Sequence, residues 1–277
     1  MEKKYKLTKE TINISGRTLY RIEALKDFND VKKGDKGGFV ENEENLSQYG
    51  DCWVYDNARV YGDAEVCVNT KVSDNAKIYG SAIVYGNAMV GDNAEVYANA
   101  KVRDDVKVYG DAEVWGCVII SGNAIISDNV DIYGNAEVYG NANVRGNVII
   151  CGDVRVYGDA KVYGNAKVCD NAKIYGNAMV YGDAMVCYNA KVRDNAVVFG
   201  NAEICGDAVI ASKSDYILFK NWWSSGRHFT WTRSNNMWKV GCFYGTGKEL
   251  IEKAYKDSEK SGKEYERVVK YVEAILP

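Results

Sequence analysis

From Val54 to Ile210 every sixth residue is Val or Ile, through 27 positions without a break. Two residues before each, from Val60 onward, stands a small side chain: Ala58, Ala64, Thr70 and Ala76 begin the series, which widens to Val at Val106, Val118, Val130, Val148 and Val154. On an extended strand, residues two apart share a face. The β-branched and small residues therefore point one way, and the intervening Lys, Glu or Arg points the other. The pair that separates successive units, as in Gly164-Asn165, tolerates positive φ and turns a corner. Each six residues thus predict one side of a coil. A single coil cannot bury its apolar side, so coils must stack into a continuous Val/Ile/Ala column.

The number of sides follows from which residues stack alike. The position after each Val or Ile faces outward, and in steps of 18 one such column reads Tyr61, Tyr79, Tyr97, Trp115, Tyr133, Cys151, Cys169, Cys187, Cys205. Arg103 and Arg193 share another column. Like residues recurring at 18 predict three sides per coil and nine coils, which at the sheet spacing make a prism roughly 43 Å long.

This repeat resembles the hexapeptide repeat of left-handed parallel β-helix proteins over residues 51–212. The resemblance implies an all-β left-handed parallel β-helix, three-sided and of about nine coils. The hand comes from the family, since the general preference of parallel crossovers is right-handed. Gly37-Gly38-Phe39-Val40-Glu41, Asn45-Leu46-Ser47 and Gly50-Asp51-Cys52-Trp53 resemble the opening of uncharacterised bacterial and phage hexapeptide-repeat proteins often labelled transferases. Gly241-Cys242-Phe243 and Gly245-Thr246, ahead of a helix, resemble a small module of phage and prophage proteins.

Open ends of a β-helix expose unpaired strand edges, so caps are expected. Residues 1–50 read as an N-terminal cap, with a hairpin around Ser15-Gly16 and a Gly-rich 34–38 segment against the first coil. Residues 213–277 read as an α+β module. Its strands come from YILF, RHFTWTR and MWKVGCFY, and its two helices are separated at Ser261-Gly262.

Charge is unevenly spread. Residues 51–212 carry 13 basic and 21 acidic side chains, and residues 213–277 carry 12 and 8. An acidic prism is a poor grip for phosphates, so nucleic acid is not an expected partner. Lys and Arg scattered among its carboxylates also weaken a reading as a DNA mimic. No apolar run approaches a membrane span and the N-terminal residues lack an apolar leader, so the expected location is the cytoplasm, that of the bacterial host if the gene is phage-borne. None of the eight cysteines forms a C-x-x-C pair, so free thiols are expected and no metal site is assigned.

Hexapeptide-repeat acyltransferases generally use a histidine base. This chain has one histidine, His228, outside the coils, and no inserted loop interrupts the 27 sides. No catalytic residue and no cofactor is assigned. Fourteen of the 27 outward positions after Val or Ile are aromatic, more than a single binding spot needs. β-propensity and like-on-like stacking would produce such columns by themselves. A docking face would also, since Tyr and Trp supply rigid contact area with a polar handle. Tyr61, Tyr79, Tyr97, Trp115 and Tyr133 are the candidate interface. In the module, Trp222, Trp223, Arg227, His228, Trp231 and Arg233, with Gly245 and Thr246 at a helix start, are candidates for an anionic or nucleotide-like ligand, although a compact core with Arg on rings is the simpler explanation of the cluster. The leading expectation is a non-catalytic binding or scaffold protein of phage or prophage origin. It would be a homo-oligomer, most simply a dimer, and would bind a host protein or sequester a small ligand. The alternative is an acyltransferase.

Overall fold

The computed structural model describes residues 2–223 and 226–275. The repeat folds as its spacing demands. Lys71–Val72 pairs in parallel with Trp53–Val54 on one side and Met89–Val90 on the other, each 18 residues away. Two parallel sheets of nine strands result, and the third continues into the N-terminal hairpin to make twelve. Between coils the amide of each strand residue meets the carbonyl 17 residues on, as in Tyr79 N to Val96 O at 3.0 Å and Lys191 N to Ala208 O at 2.8 Å. Every Val and Ile of the 54–210 series is at most 1 % exposed. That fixes the inward register and leaves Tyr79 and Cys169 facing out. Each inward side chain is worth about 1.5–3 kcal/mol of burial, so the column dominates stability.

The corners carry their own ladder. Corner residues take positive φ even where they are not glycine, as at Asp74 (59°) and Asp128 (66°). The residue that follows stacks by side chain: Asn129 Nδ2 donates to Asn147 Oδ1 (2.9 Å), Asn147 to Asn165 (3.0 Å), and Asn165 to Asp183 Oδ1 (2.9 Å). An Asp ends such a run, because a carboxylate accepts but cannot donate onward.

The stack has about ten turns, one more than the nine expected. Strand β3 (Lys36–Val40) pairs in parallel with Arg59–Val60, and Leu46 bridges to Val66, so the cap segment itself lays down a turn beneath the first regular coil. The series hides this turn because Leu46 and Val54 are eight residues apart rather than six. Gly38 takes the inward place usually held by Ala: a Cβ there would sit 2.4 Å from Ala58 O. Below it, β1 (Tyr5–Ile14) and β2 (Arg17–Ala24) form the expected hairpin. Tyr5 and Phe28 meet Trp53 edge-on, with centroids 6.2 and 5.4 Å away, and bury a side chain that the repeat would otherwise expose. Lys4 Nζ is buried beneath the hairpin and bonds Cys52 O at 2.9 Å.

At the other end Tyr216–Lys220, His228–Thr232, Met237–Val240 and Phe243–Gly245 form an antiparallel sheet, backed by α1 (Gly247–Asp257) and α2 (Glu259–Ile275). The helix break lies at Ser258, not at Ser261-Gly262. Gly262 belongs to α2, and its lack of a side chain serves packing, since a Cβ would fall 2.2 Å from the Tyr255 ring. The sheet substitutes for an eleventh turn. Glu203 N donates to Thr230 Oγ1 (2.9 Å), Val209 N to Ser234 Oγ (2.7 Å), and Tyr244 OH to Cys205 O (3.3 Å). Side-chain hydroxyls therefore satisfy the edge that a further coil would have covered. Among the described residues no helix is long and apolar enough to cross a membrane.

Candidate functional site

On the face shared with the hairpin sheet, five outward rings stack. Tyr61 to Tyr79 is 5.0 Å between centroids with planes 1° apart, Tyr79 to Tyr97 4.7 Å, Tyr97 to Trp115 6.0 Å and Trp115 to Tyr133 4.7 Å. The parallel register of the strands imposes this, because outward positions 18 apart lie directly above one another. All five rings are half-buried, covering one another's faces and leaving edges to solvent. Tyr79 OH donates to Glu95 (2.9 Å), which also takes Lys77 Nζ (2.6 Å), and Tyr97 OH donates to Glu113 (3.2 Å). Burial first, and then the neighbouring carboxylates, raise both phenols, Tyr97 to about 12, so they remain neutral donors at ordinary pH. Shorter stacks, Tyr139–Tyr157–Tyr175 and Tyr163–Tyr181–Phe199, stand on the other two faces. Stacking is thus a general product of the repeat, and what distinguishes this column is its length.

Beside the rings on the same face runs a second column: Arg59, Lys77, Glu95, Glu113, Asp131. It is basic at one end and acidic at the other.

Above Tyr133 the aromatic column becomes a thiol column. Cys151 pairs in register with Tyr133, and Cys169, Cys187 and Cys205 continue it as free cysteines, the last two buried. Cys169 Sγ, an Asp170 carboxylate oxygen and Cys187 Sγ lie within 4.8 Å of one another. Asp170 Oδ2 accepts the Tyr188 N–H at 3.0 Å, which orients that carboxylate. The Cys169 thiol is raised far above its usual range, by its hydrogen bond with Cys187 and then by burial. Cys187 is pushed up to about 12: its bond with Cys169 lowers it, but the bond with Cys205 and burial outweigh that. This grouping was not foreseen, because Asp170 reads in sequence as one more corner residue.

The module scatters the other predicted residues. Trp222 is 84 % exposed. Trp223 packs among Phe229 and Tyr265, with centroids 6.0 and 6.1 Å away. Trp231 is buried and its indole N–H donates to Asn236 Oδ1 at 2.9 Å, so it is core rather than a ligand platform. His228 is half-buried opposite Lys220, and Arg233 is exposed, with its backbone N–H on Asp215 O. Gly245 is buried. Thr246 caps α1, and its backbone N–H and hydroxyl both reach Glu249 Oε2 at 2.8 Å, so the helix start already holds its own carboxylate. Arg227 lines a cavity of about 110 Å³, shared with Cys242, Phe243, Lys253, Asp257 and Tyr265. The last three lie on the helices, where nothing in their spacing marks them.

Two likenesses to known proteins agree with this geometry. A family model for the YdcK beta solenoid repeat matches residues 172–188. The chain is also similar to an uncharacterized acetyltransferase, YdcK, of Escherichia coli (strain K12), with 45 % identity over 56 residues. That match spans 20 % of this chain and 17 % of the relative, less than a fifth of its length. Both fit the hexapeptide-repeat β-helix that the stacked coils display.

Proposed function

We propose that this is a non-catalytic scaffold that self-associates through the aromatic face, as an antiparallel two-fold dimer. The charge column beside the rings supports this reading most directly. Place two copies face to face with the two-fold axis across the prism at Tyr97. Tyr61 then opposes the second copy's Tyr133, and Tyr79 its Trp115, so rings cover rings. The same operation sets Arg59 against Asp131 and Lys77 against Glu113, opposite charges at both ends. Glu95 meets its own copy at the centre, already neutralised by Lys77. A two-fold interface must be self-complementary in this sense, and Tyr and Trp at its middle suit an interface core. The C-terminal module is the scaffold's cap, and its Arg227 cavity is the place for a small anionic ligand.

Light scattering tests the dimer. Tyr97→Glu with Trp115→Glu leaves the inward columns untouched. It should give a monomer with wild-type circular dichroism, a loss of at least about 2 kcal/mol of association. Lys77→Glu alone should weaken the dimer, and adding Glu113→Lys should restore it. A wild type that is monomeric at tens of micromolar overturns the proposal.

The likeness to an uncharacterised acetyltransferase supports a second reading, acyl transfer with His228 as base. Saturable acetyl-CoA binding by calorimetry, lost in His228→Ala, would establish it. On the scaffold reading neither is observed.

A further inference from the structure

The thiol half of the column carries an arrangement that neither packing nor the scaffold reading uses. In the corner column of this face the residues in steps of 18 are Gly62, Gly80, Ala98, Gly116, Gly134, Gly152, Asp170, Tyr188 and Gly206. Its one acidic member falls beside stacked cysteines. There Cys169 Sγ, an Asp170 oxygen and Cys187 Sγ already approach within 4.8 Å. A tetrahedral zinc-type centre, with metal–sulfur bonds of about 2.3 Å, holds its ligand atoms roughly 3.5–3.8 Å apart, so small side-chain rotations close the gap. Asp170 Oδ2 is anchored by the Tyr188 N–H at 3.0 Å, the outer hydrogen bond that orients a ligating carboxylate. Cys187 is 4 % exposed, Cys169 half-buried and Asp170 exposed, so the site is closed at Cys187 and open on its oxygen side. Two thiolates and a carboxylate oppose the cation, a donor set of the kind that holds such ions.

We propose that Cys169, Asp170 and Cys187 bind a thiophilic divalent cation of the zinc and cadmium class, with the fourth position facing solvent through the Asp170 side. Soft sulfur ligands select such ions over magnesium or calcium. Each thiol gives up its proton on ligation, so one bound cation releases two protons. Because Cys169 and Cys187 belong to successive coils, the ion staples one turn to the next.

The test uses the full chain, fully reduced, titrated with cadmium chloride and followed by the near-ultraviolet cadmium–thiolate absorption. We expect one ion per chain, displaced by zinc, with apparent affinity rising about 100-fold per pH unit below the thiol range, two protons per ion. Cys169→Ser with Cys187→Ser should abolish the signal. Asp170→Asn should weaken binding at least about tenfold. Cys67→Ser, Cys117→Ser and Cys242→Ser together should leave it unchanged. No saturable uptake by the wild type, or uptake that survives the double Ser variant, overturns the proposal. If that variant does not fold by circular dichroism, Asp170→Asn decides, since an exposed side chain is not needed for folding, and wild-type affinity in it overturns the three-ligand site.

Discussion

One outward column runs up a single face and changes character halfway. From Tyr61 to Tyr133 it is a stack of rings, and from Cys151 to Cys205 it is a stack of thiols. The inward residues and the backbone hydrogen-bond ladder are alike in both halves. Ile132 and Ile150 are equally buried, and Tyr133 and Cys151 are in-register partners. The comparison separates two functions of the sequence. The inward positions make the prism, while the outward ones can be rewritten rung by rung without altering it. The rings are broad and solvent-edged, suited to another surface. The thiols are small and partly covered, suited to an ion.

The strongest way to break the comparison is to attack what the halves share. Ile132→Asp and Val186→Asp each bury an unpaired charge in the same column, and both should cost at least about 3 kcal/mol by urea unfolding monitored by circular dichroism. A variant in either half that melts like wild type would show that the column is not one core. Next comes the corner where the halves meet. Gly134 has φ 86°, and a Cβ there would lie 2.8 Å from Gly152 N. Gly134→Val therefore combines left-handed strain with a backbone clash, and should lower stability by about 2–4 kcal/mol in the same assay. A smaller effect should distinguish the halves. Tyr79→Ala removes two ring contacts, each worth about 0.5–1.5 kcal/mol beyond area, whereas Cys169→Ala in metal-free protein should cost less than about 1 kcal/mol. Equal losses would mean that stacking of the rings contributes nothing of its own.

The smallest effect is in pH. Tyr97 is held neutral up to about 12 in the folded chain, against about 10 when unfolded. Between those values the folded state keeps a proton that the unfolded state has lost, so stability falls as pH rises. The aromatic half thus adds stability that is complete below pH 10 and lost through pH 12. Tyr97→Phe should flatten the slope of unfolding free energy over that window, and a spectrophotometric phenol titration should show one late-titrating group fewer.

Much of this was legible in the residues alone, for a physical reason. A period of six ties each side chain to its coil neighbour by covalent distance. The inward register, the three sides and the vertical stacking of Tyr61 to Tyr133 therefore follow without any long-range information. The hairpin at Ser15-Gly16 and the antiparallel C-terminal sheet were likewise local signals, although MWKVGCFY supplies two of its strands rather than one. What the period could not carry was decided in three dimensions. The tenth turn is out of phase by two residues at Leu46–Val54, so only its pairing with Val60 and Val66 shows it. Gly262 reads as a break, but it is a seat for the Tyr255 ring. Trp222, Trp231 and Thr246 belong to one short module and part company because a turn leaves the first exposed, a covered strand buries the second and the third caps a helix. Asp170 is ordinary at its own position and becomes a partner of Cys187 only because 18 residues of chain return it to the same corner. The sequence by itself determined the repeat and everything that repeats. The tertiary structure decided the exceptions, because an exception has no period to announce it and depends on which side chains the closing coils bring within reach.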